Sequence, residues 1–281
     1  MSKRIWGTAL AAALCLSSAQ VQADTDRASR KAIKAAIAGE HRSADNKARD
    51  AARKPQETLE FFGLRKDMTV VEVWPGGGWY TEILAPVLKD EGKLYLSQFS
   101  PNTPYAWARA GLGRFFTKLG SDRDIYGQAE VTFIDPPFAL EIAPRGSADM
   151  VLTFRNVHNW TMDMFGGGRY FDAYFDAMYA ALKPGGVLGV VDHRWPDPAN
   201  EDPKAGNGYI SVERTVKAAE AAGFVLKDQS DHLANPKDTH EHPRGVWTLP
   251  PSYAMGDEDR AKYEAIGESD RFVLKFIKPK G

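Results

Sequence analysis

The sequence predicts an α/β fold: a doubly wound, mostly parallel sheet of seven strands with helices on both faces and a helical lead-in before it. Short β-branched runs alternate with segments of helical periodicity along the chain, which calls for parallel strands covered by helices. The sharpest unit is a strand-like run, Thr69-Val70-Val71-Glu72-Val73-Trp74, that meets Pro75-Gly76-Gly77-Gly78 and passes into a helical pattern. The chain has 281 residues, 43% of them hydrophobic, so it is long and apolar enough to bury a sizeable core. Disorder and a small disulfide scaffold are thereby excluded.

Residues 1–23 read as an export signal rather than as structure. Lys3 and Arg4 precede an Ala/Leu-rich apolar run over residues 5–16, and Ala23 is a small residue at the expected cleavage point before Asp24. The run is about 12 residues, short of the roughly 20 that a spanning helix requires, and no later segment is apolar enough to cross a bilayer. An exported, periplasmic protein is expected. The single cysteine, Cys15, lies in the leader behind Leu14, so neither a disulfide nor cysteine chemistry is expected after cleavage.

The next elements follow in order. Residues 24–62 form a helical segment rich in Ala, Lys, Arg and Glu, with Ile33, Ile37, Leu59, Phe61 and Phe62 at helical spacing. Its charged face is expected to be solvated, capping the sheet or gating a site. Residues 63–281 make the main domain. After the glycine turn, strands are expected at 93–98, 131–134, 148–154, 187–191, 224–226 and 272–277, and helices at 105–119, 170–182 and 210–222. Lys183-Pro184-Gly185-Gly186 stops one helix and Gly223 another. Residues 231–270 are polar and weakly periodic, and read as a long insertion between the last two strands.

Chemistry is expected at the glycine turn. A buried strand that ends in bare backbone before a helix N-terminus presents N–H groups and a positive helix end to a ligand. That describes a nucleotide or nucleoside site. A dinucleotide fingerprint would require a third glycine where Thr81 stands and an acid ending the second strand, where Gln98 stands, so nicotinamide cofactors are disfavoured. Net charge is −1, from 36 Lys and Arg against 37 Asp and Glu, and loss of the leader removes two cations, so a nucleic-acid partner is not expected. His240-Glu241-His242 offers too few ligands for zinc and is expected to be a solvated loop, and no metal is expected. Trp74, Trp79, Trp160 and Trp195 fall near strand ends, where they could line a pocket for a planar acceptor or simply pack.

These residues resemble the class I S-adenosylmethionine-dependent methyltransferases. Glu72, Gly76 and Gly78 fit that family's acid and alternate glycines, with Trp74 in place of the first glycine. Gly146-Ser147-Ala148-Asp149-Met150-Val151-Leu152 looks like its fourth strand, and Ala181-Leu182-Lys183-Pro184-Gly185-Gly186-Val187-Leu188 like the turn into its fifth. Four segments are similar to those of predicted bacterial methyltransferases made with export signals: Glu72 to Glu82, Phe154-Arg155-Asn156-Val157-His158-Asn159-Trp160, Val191-Asp192-His193-Arg194 and Asp270 to Phe276. The resemblance runs over residues 58–279.

It implies a Rossmann-like methyltransferase fold with S-adenosylmethionine as cofactor. The backbone of Pro75, Gly76, Gly77 and Gly78 would contact the methionine part, with Tyr80 beside it, and Glu72 would hold the ammonium. Gln98 or Phe99 would replace the usual ribose acid, Asp135 would reach the adenine amine, and Phe154, Arg155 and Asn156 would line the far wall. For an acceptor that must lose a proton, His158 is the first candidate base, and Asp192 with His193 the second, since functional groups collect at the carboxyl ends of strands in open α/β sheets. The implied acceptor is a small or lipid-like molecule of the cell envelope. The competing reading is a catalytically silent exported protein that holds a nucleoside or other small ligand. A third, ribose methylation of RNA, lacks the Lys-Asp-Lys-Glu set and is opposed by the acidic charge.

Overall fold

The computed structural model describes residues 24–281, and the expected export signal lies outside the described residues. Four helices lead in: α1 (Arg27–Ala38), α2 (Ala44–Ala48), α3 (Asp50–Arg53) and α4 (Pro55–Phe62). Side-chain caps start the first two, Asp26 accepting from the Ser29 amide at 2.9 Å and Ser43 from the Asn46 amide at 3.2 Å. The exposed side of α1 carries Arg27, Arg30, Lys31 and Lys34, as its pattern requires, while Ile33 is fully buried.

Alternation follows: β1 (Thr69–Val73), α5 (Thr81–Leu88), β2 (Lys93–Gln98), α6 (Ala106–Ser121), α7 (Arg123–Tyr126), β3 (Ala129–Phe133) and β4 (Ala148–Phe154). Then come α8 (Phe171–Ala181), β5 (Leu182–His193), α9 (Val212–Ala221), β6 (Val225–Ser230), α10 (Arg260–Ile266) and β7 (Arg271–Ile277). The sheet order is β3-β2-β1-β4-β5-β7-β6, with β7 antiparallel to both neighbours and the other pairs parallel. This is the doubly wound, mostly parallel seven-stranded sheet that the alternation predicts. Among the described residues no helix is long and apolar enough to cross a membrane.

The period of two along each strand sorts side chains into two cores. Val71 and Val73 face a layer with Phe175, Met178, Leu188 and Leu274. Val70 faces the other, with Phe62, Ile83, Leu84 and Leu152, where α1 and α4 also pack. Glu72 shares the parity of Val70, so the period carries a carboxyl into an apolar layer.

Most boundaries shift by one or two residues, as with β3 at Ala129–Phe133, and two differ more. Lys183-Pro184-Gly185-Gly186 does not separate helix from strand but lies within β5 as a bulge, because pairing with β4 resumes at Met150 and Val187 after starting at Ala148 and Leu182. Strand β6 runs to Ser230 although its face is largely polar, since pairing with β7 at the sheet edge requires no burial.

The carboxyl ends of β1, β4 and β5 meet along one edge. Because β7 is antiparallel, its first residue arrives at that same edge, and Arg271 pairs in register with His193. The segment before it, with residues 245–248 in a 3₁₀ turn, folds over this edge.

Candidate functional site

Beyond Val73 the chain turns sharply. Trp74 takes a left-handed φ of +46°, and its amide donates to the Ser97 carbonyl at 2.8 Å, extending the β1–β2 pairing by one residue. Gly76 and Gly78 also lie in the left-handed region, at +58° and +81°. A Cβ on Gly78 would meet Phe115 and Lys118 at 3.1 and 3.2 Å, so packing as well as backbone demands glycine there. Gly77 differs: its φ is ordinary and a Cβ would meet nothing within 4 Å. No feature of the folded chain requires glycine at 77; the bare backbone faces open space. Gln98, at the end of β2, spends its amide on the Gly76 carbonyl at 3.1 Å and so pins the turn.

Two cavities meet at Gly76 and Gly77. The first is a cleft of about 330 Å³ over the ends of β1, β4 and β5. The second, about 430 Å³, lies between the end of β2 and α6, walled by Gln98, Phe99, Trp107 and Leu112. Between them Trp74 packs its ring 4.2 Å from that of Phe99 and 5.1 Å from that of Phe165.

Glu72 stands under the cleft with 2% of its surface exposed. Burial pushes its carboxyl up to about 7, only partly opposed by the Thr81 hydroxyl, which donates to it at 2.7 Å, and by the charge of Lys118. A cation placed against it would draw it back to the ionised form.

Past β4, Arg155 adopts a left-handed φ of +63° while its amide donates to the Val191 carbonyl at 2.7 Å. Asn156 ties β4 to β1, donating to the Val73 carbonyl at 2.9 Å and the Thr153 hydroxyl at 3.1 Å. His158 then meets Asp192, the end residue but one of β5. Asp192 is fully buried and accepts from His158 Nδ1 at 2.7 Å and from the backbone amides of His158 and His193 at 3.1 and 2.7 Å. With Nδ1 donating to a carboxylate, a neutral His158 keeps its lone pair on Nε2, the form of a general base. His193 lies 5.2 Å away, ring to ring, with Nδ1 2.5 Å from the Ser269 hydroxyl. Burial holds His193 well below its ordinary value, and His158, Arg271 and Arg155 add to the effect, so its imidazole is neutral at physiological pH.

His158, Asp192 and His193 also bring possible ligand atoms within 4.8 Å of one another. Both Nδ1 atoms are already engaged, and the arginines beside His193 oppose a dication.

Arg49, Arg53 and Arg271 are the feature that sequence reasoning missed; only Arg155 is singled out from the sequence. Arg49 and Arg53 reach the cleft from the lead-in, Arg155 from the end of β4 and Arg271 from the start of β7. Among the described residues Glu268 alone pairs with three of them, accepting from Arg49 at 2.6 Å, from Arg53 at 3.4 Å and from Arg271. Burial would raise the Glu268 carboxyl, but Arg271, Arg53 and Arg49 outweigh it and hold the group well below the usual carboxylate range. The expectation of a solvated charged face therefore fails at the end of the lead-in: Arg53 is 2% exposed and lies over the Trp79 ring at 4.5 Å. Charge alone in a helical pattern carries no sign of which cation turns inward; a guanidinium heading an apolar strand, as in Arg271-Phe272-Val273, is the one local hint.

Of the residues singled out from sequence, Glu72, Pro75, Gly76, Gly77 and Tyr80 line the cleft from the β1 side, and Phe154, Arg155, Asn156, His158 and His193 line it from the other. Tyr80 and Phe154 stack at 3.5 Å. Gln98 and Phe99 line the second cavity. Gly78 and Asp192 stand behind the walls as supports. Asp135 reaches neither cavity, because it is turned back into a tight loop in which its amide donates to the Ala139 carbonyl at 2.8 Å. Trp74 and Trp79 border the cleft, whereas Trp160 stacks on Tyr174 inside the core and Trp195 packs beside Tyr209. The histidines of His240-Glu241-His242 are not solvated: His242 contacts Asp238 at 2.8 Å and His240 contacts Asp270 at 3.4 Å, so they fasten the segment before β7. That segment supplies Val246 and Trp247 to the cleft wall.

No family model matches the sequence, and no curated protein matches it. Among solved structures, the chain is similar to a SAM dependent methyltransferase from Aquifex aeolicus, with 16% identity and a TM-score of 0.52, over 82% of this chain and 93% of that one. It is similar as well to the [4+2]-cyclase SpnF, with 16% identity and a TM-score of 0.55, over 90% of this chain and 93% of that one. Likeness at this identity establishes a shared fold, the Rossmann-like methyltransferase fold.

Proposed function

We propose that this protein is an S-adenosylmethionine-dependent methyltransferase acting on a small-molecule or lipid-like acceptor of the cell envelope. The observation that carries the reading is Gly77, a glycine that neither backbone nor packing demands, facing open space between two cavities on a fold shared with methyltransferases. The residues present fit the cofactor. Glu72 suits its ammonium, the Gly76–Gly77 backbone its methionine part, and Gln98, Phe99 and Trp107 its nucleoside. When bound, it supplies an electrophilic methyl on a sulfonium. The chain's own part is to align the acceptor and take its proton: Asn156 and the β1–β4 tie keep the wall rigid, and His158 Nε2, oriented by Asp192, accepts the proton. Export is supported by the order of charged, apolar and small residues over 1–23.

Trp74 favours a second reading. Its ring packs on Phe99 at the position of the family's first glycine, and the Gln98 amide is bonded to Gly76, so the nucleoside side of the turn is partly filled by the protein itself. The cyclase among the fold neighbours bears a name that does not imply methyl transfer. A binding protein without turnover is the alternative.

Calorimetric titration with S-adenosylmethionine and S-adenosylhomocysteine tests the cofactor. Gly77→Asp should fold with unchanged thermal stability, since nothing stands where its Cβ would be, and bind roughly 100-fold more weakly through repulsion of the cofactor carboxylate. Absence of binding by the unaltered protein would end the methyltransferase reading; binding with no methyl transfer to any envelope metabolite or lipid would favour the silent binder.

A further inference from the structure

The cleft holds more positive charge than its own residues balance. Arg49, Arg53, Arg155 and Arg271 gather there; behind the wall Glu268 accepts from three of them and the Asp192 carboxylate is taken up by His158 and two backbone amides, while Glu72 lies in its apolar layer with a raised pKa. Among the described residues Nη1 and Nη2 of Arg53 are buried with no hydrogen-bond partner, as are Nη2 of Arg49 and Nε of Arg271. Among the described residues Arg155 has no hydrogen bond or ion pair from its side chain, and burial and the charge of Arg271 draw it down to about 10. Its left-handed backbone is a conformation that ordinary side chains avoid, and here it sets the guanidinium among the cleft residues. A buried donor left without a partner is costly, and several on side chains that line one cleft mark a place for an acceptor group that the chain does not supply.

We propose that these guanidiniums form a subsite for an oxyanion on the acceptor, a phosphate ester or a carboxylate, so that the substrate is an anionic molecule held by Arg53, Arg155 and Arg271 beside His193 and His158. The inference rests on the methyl-transfer reading and sharpens it. S-adenosylmethionine carries an ammonium, a carboxylate and a sulfonium, one net positive charge; ionisation of Glu72 against the ammonium offsets that charge and leaves the excess of the arginines themselves for an anion to balance. Planar guanidiniums are suited to oxyanions through paired N–H donors. The position also fits: Arg271 pairs in register with His193, placing the charge next to the candidate bases rather than on the nucleoside side of the turn.

The test titrates the purified protein with inorganic phosphate and with acetate, alone and with saturating S-adenosylhomocysteine, and repeats both on Arg155→Gln. Phosphate or acetate should bind whether or not S-adenosylhomocysteine is present. Arg155→Gln should weaken the anion roughly tenfold or more and S-adenosylhomocysteine by a clearly smaller factor, because Arg155, which the resemblance would set on the cofactor's far wall, is assigned here to the acceptor. Tighter phosphate points to a phosphate ester, tighter acetate to a carboxylate. Because Arg155 has no side-chain partner to lose among the described residues, the variant should melt no lower than the unaltered protein, and a given phosphate concentration should raise the melting temperature of the unaltered protein more than that of the variant. Mutual exclusion of the anion and S-adenosylhomocysteine, with both weakened equally by Arg155→Gln, would overturn the proposal and give the arginines to the cofactor's carboxylate. No anion binding up to about 20 mM would overturn it also. Anion binding without any S-adenosylhomocysteine binding would remove the methyl-transfer reading and leave an oxyanion pocket.

Discussion

Asp192 shows how one buried side chain can set the chemistry of another. Its carboxylate receives two backbone amides and the His158 ring, so it stays satisfied without water and fixes which imidazole nitrogen is basic. Asp192→Asn can donate to Nδ1 and favour the tautomer that carries its proton on Nε2. Turnover is then expected to fall roughly 10²- to 10⁴-fold with cofactor affinity unchanged. His158→Ala should lose as much activity and about 1–3 kcal/mol of stability, because Asp192 loses one of its three donors. A kcat series measured beside cofactor titrations decides the matter: equal losses in binding and turnover would take His158 out of the base role. His158 and the Asp192-His193 pair were readable as candidates from their places after strands; the bond between them was not, since it joins residues 34 positions apart.

Among the elements, β5 owes its packing to a residue with no side chain. A Cβ on Gly189 would come within 2.7 Å of Leu152 and 2.9 Å of Phe62, which is fully buried on α4. The missing side chain lets the lead-in lie directly on the sheet, and that contact brings Arg53 of α3, with Arg49 just before it, to the cleft. Gly189→Ala should cost about 1–3 kcal/mol by overpacking, seen as a lower urea midpoint with an unchanged slope. A midpoint equal to that of the unaltered protein would show that α4 moves away freely. Strands β1, β4 and β5 were legible because their runs are apolar and end in glycine or polar turns. The polar edge strand β6 and the bulge in β5 were not, since edge pairing and register depend on the neighbouring strand.

For the whole molecule, the cleft should leave a mark on stability against pH. Glu72 is easier to protonate when folded, at about 7 against an ordinary 4.5, so the native state binds the extra proton between those values and loses stability as pH rises through them. Relative to the unaltered protein, Glu72→Gln should gain up to about 3 kcal/mol between pH 4.5 and 8, while keeping an oxygen to accept from Thr81. His193 acts in the other direction: its depressed value means that stability is lost as pH falls through the ordinary 6.5, and this contribution cancels in the difference between the two proteins. Unfolding free energies at several pH values provide the check, and parallel curves would show that Glu72 does not carry the titration. A bound ammonium should lower the Glu72 value, so cofactor affinity should strengthen between pH 6 and 8 with proton release on binding at the acid end.

The sequence by itself determined the alternation of strands and helices, the glycine turn after β1 and the clustering of candidate groups at one edge, because each of these follows from local periodicity and from backbone that only glycine readily adopts. Tertiary structure alone decided which charges turn inward. The antiparallel arrival of β7 sets Arg271 beside His193, and the packing of α4 on Gly189 carries Arg53 over the Trp79 ring. Asp135, expected at the site, is turned away by its own loop. A cation on an amphipathic helix or at a strand end reads the same whether it meets water or a cavity, since that outcome is set by what packs against it from distant parts of the chain.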